Sequence, residues 1–169
     1  MYNILDTKVV NELLLVRHGW FNPEYELTDG TYTYGKISYR WFSQRGTMAE
    51  SATGAWIFQR EQIFSRTIVI SDKDGITIGT LVREWFSRKS TLTLNTGFKA
   101  DFYTQSIFSR ENIWESSTNG KIIEITSSLF STRDDIQITP GTTPANLIPL
   151  MIFLGKHLII LRRRRKSRH

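Results

Sequence analysis

The stretch "ANLIPLMIFLGKHLIIL", residues 145 to 161, decides how this chain folds. Read as a helix, it carries apolar residues on every side rather than along one stripe. A helix of that kind is enclosed either by protein or by lipid. Thr143-Pro144 just ahead reads as a helix start, with Thr as N-cap and Pro at the first helical position. Pro149 either kinks the first turns or marks the true start. At ~1.5 Å per residue the run spans about 25 Å, short of the ~30 Å hydrocarbon core of a bilayer. Lys156 and His157 fall inside it, and a charge there is costly in lipid. The segment is therefore read as a plug within protein. An enclosed Lys156 must reach the mouth of whatever surrounds it, expected near Gly155 to Leu158, or pair with an inward carboxylate. Without a buried partner, Lys156→Met is expected to leave the melting temperature unchanged or raised.

What surrounds the plug is read from residues 12 to 138. "GKISYRW", "GAWIFQRE", "RTIVIS", "ITIGTLVREW", "STLTLN", "FKADFYT", "NIWES", "KIIEITSSLF" and "DIQIT" are short, rich in Ile, Thr, Tyr, Trp and Phe, and many alternate apolar with polar residues. That alternation buries one face of a sheet and wets the other. Asp29-Gly30, Asp74-Gly75 and Asn119-Gly120 lie between them and suit the positive φ angles of tight hairpins. "DGTYTYGKISYRW" (29 to 41) and "DGITIGTLVREW" (74 to 85) echo each other: a turn, a second Gly, then an alternating strand with Arg before a closing Trp. Repeated strand pairs of this kind fit a closed antiparallel barrel of about 12 strands. A barrel of that girth has a lumen too wide for its own side chains to fill, so it needs a plug.

Many hairpin strands, opened by "YELTDGTYTYGKISY", followed by one C-terminal helix that is apolar all round, resemble the tubby C-terminal, LURP-one-related and phospholipid scramblase superfamily. The resemblance implies an all-β fold with one central helix: a closed barrel wrapped around the hydrophobic segment 145–161. Residues 1–162 then form one barrel domain and residues 163–169 a basic tail. The acylated cysteines of scramblases have no counterpart here, because the chain has no Cys. Basic residues stand where their acidic calcium-binding segment would lie. The resemblance thus implies the fold and a non-enzymatic binding role.

Composition narrows the chemistry. Without Cys there is neither a disulfide nor a thiolate metal site, and nothing demands an oxidising compartment. The N-terminus lacks the basic and apolar runs of a signal peptide, so a cytoplasmic location is the expectation. No cofactor or metal is expected. "SDKDG" around Asp72, Asp74 and Gly75 reads as a hairpin turn, since the later acidic ligand of a calcium loop is missing. Asp134 and Asp135, adjacent in a strand, point to opposite faces and read as turn and edge residues.

"LLLVRHG", ending in Arg17-His18-Gly19, resembles the histidine phosphatase and phosphoglycerate mutase signature. That resemblance implies His18 as phosphoryl nucleophile and Arg17 as phosphate clamp. It also requires a second Arg in a helical Ser-x-Leu-x-Arg context and a second His followed by Gly. The late histidines, His157 and His169, lack that Gly. A strand running into a loop is the preferred reading.

Charge supplies the functional handle. The chain carries 22 Lys and Arg against 16 Asp and Glu, and six of the 22 lie in "RRRRKSRH", so residues 1 to 161 sum to zero. Arg162, Arg163, Arg164, Arg165, Lys166 and Arg168 form the candidate lipid- or anion-binding set. Consecutive arginines point all around a helix axis and make a collar. The expected partner is anionic phospholipid, worth ~1 kcal/mol per basic residue near a charged surface, or a protein. Nucleic acid is less favoured, because the body is neutral. The competing reading makes 145–161 a membrane anchor with the arginines on the cytoplasmic side.

Overall fold

The computed structural model describes residues 1–40, 46–85, 87–128 and 132–167. Twelve strands run antiparallel in chain order: β1 (Glu12–His18), β2 (Glu24–Thr28), β3 (Thr33–Ser38), β4 (Thr47–Ser51), β5 (Gly54–Arg60), β6 (Thr67–Asp72), β7 (Thr77–Arg83), β8 (Ser90–Leu94), β9 (Lys99–Thr104), β10 (Glu111–Ser116), β11 (Gly120–Ser127) and β12 (Arg133–Ile138). Each pairs with its neighbours in sequence, and β1 pairs with β12, so the barrel is closed. A closed barrel has no free sheet edge to protect. Along each strand residues alternate in burial, as in β11, where Ile123, Ile125 and Ser127 face in.

Helix α1 (Leu147–Lys166) fills the lumen. From Ile148 to Ile159 its side chains are buried on every side, against inward residues of the strands such as Leu15, Ile37, Leu81 and Ile136. The segment read as a plug is therefore the core of the protein. α1 is also long and apolar enough to cross a membrane. In this fold, however, the surface that would meet lipid is packed on the barrel wall.

Four sequence expectations about α1 and its surroundings need correction: its start, its cap, its end and the position of the barrel mouth. The helix begins at Leu147 behind Asn146, not at Pro144. Thr143 does not cap it, because it lies four residues ahead of Leu147, where its hydroxyl accepts from Asn119 Nδ2 at 3.2 Å. Pro149 sits in the first turn, where its missing N–H has no intrahelical partner to lose. At the other end α1 continues through Arg162–Lys166, since arginine and lysine favour helix and Arg162 and Arg163 are still half-buried at the mouth. The barrel mouth accordingly lies beyond Leu161 and not at Gly155 to Leu158, all of which are buried.

Two glycines set the fit of plug to wall. A Cβ on Gly155 would lie 2.8 Å from Ile125 Cδ1, 2.9 Å from Trp114 Nε1 and 3.0 Å from Phe102 Cε2. On Gly35 it would meet the Glu50 carbonyl oxygen at 2.3 Å, with the Phe153 ring of α1 at 3.0 Å. Gly155→Val should cost about 3 kcal/mol despite removing a helix glycine, because overpacking outweighs propensity. Denaturant unfolding measures it, and a stabilised variant would mean the plug is loose. The two echoing segments form equivalent hairpins, β2–β3 and β6–β7. Both carry a register shift in the first strand, and Gly30 and Gly75 turn them at φ +95° and +81°. Trp41, which closes the first copy, lies outside the described residues.

Candidate basic rim

The C-terminal end of α1 emerges at the end of the barrel where β1, β3, β5, β7, β9 and β11 finish. Its arginines fan out to different walls. Arg162 donates to Thr104 Oγ1, to Asn112 Oδ1 at 3.2 Å and to the Arg88 carbonyl at 3.0 Å. Arg163 donates to Ser127 Oγ at 2.7 Å and to the Ser128 carbonyl at 3.2 Å. The Arg164 guanidinium lies 5.6 Å from the Tyr39 ring centroid. Arg165 and Lys166 are exposed. Arg168 lies outside the described residues. The side chains thus form a collar, of which Arg162 and Arg163 are partly anchored.

The strands add charge at the same end. Every described arginine of the wall is there: Arg17, Arg60 and Arg83 at strand ends, Arg133 at a strand start, and Arg40, Arg66, Arg88 and Arg110 in the flanking loops. The turns at the other end carry Asp29, Asp72 and Asp74. The neutral sum of residues 1 to 161 therefore hides a sorting of charge along the barrel axis. A cleft of about 210 Å³ between the β7–β8 loop and α1 is lined by Arg66, Arg83, Arg88, Lys89, Arg162 and Arg165, with Glu84 beside Lys89 at 3.7 Å. Burial, together with Arg165, Arg162, Arg60 and Arg66, pulls the Arg83 guanidinium down to about 10. Cations crowded this closely attract an anion.

Below the rim the polar groups are internal. Lys156 is paired with Asp134, their side chains 2% and 3% exposed. Asp134 is thus no turn or edge residue: it faces the lumen from β12 while Asp135 faces out, as strand alternation requires. His157 Nδ1 lies 2.8 Å from the Tyr39 hydroxyl, and its ring stacks on Tyr39 and tilts against Phe58. Burial first, then Arg164 and Arg60, push the His157 pKa from 6.5 down to about 3. A base with a depressed folded pKa is neutral in the fold and protonated in the unfolded chain, so stability falls as pH drops below the unfolded value. At pH 5 that loss is about 2 kcal/mol. Comparing unfolding of wild type and His157→Phe at pH 7.5 and pH 5 checks it: the variant should lose this increment of acid sensitivity.

Arg17 and His18 end β1 at the rim. His18 Nε2 lies 3.5 Å from Glu26, and Arg17 Nε donates to the Gly19 carbonyl at 3.3 Å. His157 is buried in the lumen, so among the described residues no second histidine is brought to His18, and His169 lies outside them. Among the described residues no cluster of His, Cys, Asp and Glu is arranged to hold a metal ion. Comparison with protein-family models, with curated proteins and with solved structures finds no match to this chain.

Proposed function

We propose that this chain is a non-enzymatic binding module of the tubby and scramblase-like type that associates with anionic membrane lipid through the basic end of its barrel. The observation that supports this reading is the gathering of every described arginine at the end where α1 emerges. Such a face concentrates positive potential within a Debye length of one surface and leaves the acidic turns at the far end. Arg165 and Lys166 stand free for headgroups, and the arginine-lined cleft beside α1 is large enough for a phosphate.

Liposome flotation tests it. The full chain should float with vesicles containing phosphatidylserine, fail to float with pure phosphatidylcholine, and dissociate as salt rises. Replacing Arg164, Arg165 and Lys166 by Glu should abolish flotation while the melting temperature holds. Equal indifference to both vesicle types contradicts the reading and leaves a protein partner as the occupant of the rim.

A further inference from the structure

Six connections leave the barrel at the basic end, and the sequence places an aromatic or aliphatic residue followed by Phe in every one. The pairs are Trp20-Phe21, 41–42, Ile63-Phe64, Trp85 with 86, Ile107-Phe108 and 129–130. They recur every 21 or 22 residues, once per hairpin. Positions 41–42, 86 and 129–130 enter here as sequence only. The described members are held out in water: Trp20 and Phe21 are each 85% exposed, Phe64 96%, Trp85 74% and Phe108 89%.

Nothing in the fold asks for them. Ser65 N–H donates to the Gln62 carbonyl at 3.0 Å, and Ser109 N–H to Ser106 at 3.1 Å, which puts Ile63-Phe64 and Ile107-Phe108 at the two central positions of tight turns. The backbone after each turn is fixed by a serine. Ser65 Oγ accepts from Thr67 N–H, Ser87 Oγ from Lys89 N–H and Ser109 Oγ from Glu111 N–H, each at 3.1 Å. The opposite end of the same barrel closes with turns through Gly30, Gly75, Gly97 and Gly120, all at positive φ, where Tyr32 and Ile76 are exposed singly. One end thus shows what hairpin closure needs, and the other adds adjacent pairs of large apolar side chains that closure does not use. Isolated exposed apolar residues are ordinary, but a repeated ring of them marks an interaction surface.

The charge around the ring selects the partner. Arg66, Arg88 and Arg110 each follow the Phe position by two residues, and the collar of α1 lies inside the ring. The Arg66 guanidinium sits 3.1 Å from the Trp85 ring centroid, and that of Arg17 lies 5.7 Å from Trp20. Aromatic and aliphatic tips interleaved with arginine match the bilayer interface, where rings lie at headgroup depth and cations meet phosphate. Isoleucine tips suit acyl chains rather than nucleic-acid bases. We propose that the loop tips insert into the interfacial layer of an anionic bilayer, with the barrel standing on its basic end; this rests on the membrane reading above and adds insertion to charge.

The test uses the full chain and two double variants, Ile63→Ser with Phe64→Ser and Ile107→Ser with Phe108→Ser. Each leaves Ser65 or Ser109 in place, so the melting temperature should hold. Affinity for phosphatidylserine vesicles should fall about tenfold per loop, with its salt dependence unchanged. Lipid brominated near the headgroup should quench the emission lost in Trp85→Phe. Wild-type affinity in both double variants, with Trp85 unquenched, overturns insertion while charge docking survives. Absence of any vesicle binding by the wild type overturns both readings. If the variants abolish only self-association in sedimentation, the ring joins copies of this chain, and the proposal falls.

Discussion

Lys156→Met should lower the melting temperature by about 10 °C. The side chain reaches Asp134 across the lumen, and neither group is more than 3% exposed. Asp134 Oδ1 also accepts from Ser127 Oγ at 2.8 Å, and Ser127 Oγ in turn accepts from Arg163 at 2.7 Å. The Tyr25 ring centroid lies 4.3 Å from Nζ. Burial first, with smaller contributions from Arg163 and Arg17, pulls the Lys156 pKa down, and the Asp134 carboxylate opposes that pull. Removing the ammonium leaves a buried carboxylate without its cation, at a cost of about 3–5 kcal/mol. A chain of this size loses roughly 2–4 °C per kcal/mol. Replacing both partners, Lys156→Met with Asp134→Leu, should restore most of the loss, because a buried pair contributes little net stability beyond an apolar pair. Thermal unfolding of the two single variants and the double variant decides it. A single variant as stable as wild type would mean that the pair is not formed.

Trp114→Ala should cost about 4 kcal/mol, since the side chain is fully buried where wall meets plug. Its ring centroid lies 5.0 Å from that of Phe102, and Nε1–H donates to the Met151 carbonyl of α1 at 2.7 Å. That carbonyl is also positioned to accept from the helix four residues on, so Trp114→Phe loses one hydrogen bond without orphaning an acceptor. It should cost only about 1–1.5 kcal/mol. Urea unfolding separates the two. Equal losses would mean that the hydrogen bond, not the packing, joins wall to plug.

Strand alternation, Gly-bearing turns and the apolar run near the C-terminus made the barrel and its plug legible. β4 escaped because "TMAES" buries only Ala49, flanked on the inward face by Thr47 and Ser51, while its one large apolar residue, Met48, faces out. Its strand character comes from pairing with β3 and β5, which propensity does not show. The partner of Lys156 escaped because Asp134 reads as a turn residue until the register of β12 turns it inward. The collar was legible as a run of arginines, but the rim was not, because the net charge of residues 1 to 161 averages over both ends of the barrel. The aromatic pairs were legible in principle, as a spacing of 21 or 22 residues. They sit between the strands, where a search for alternation does not look.

The enclosure of α1 is tested most directly by amide hydrogen exchange of the chain in water without detergent. Amides of residues 150 to 159 should exchange as slowly as the slowest wall strands and through the same global opening. Rapid exchange there beside protected strands, or protection gained only on adding lipid, would put the helix outside the barrel.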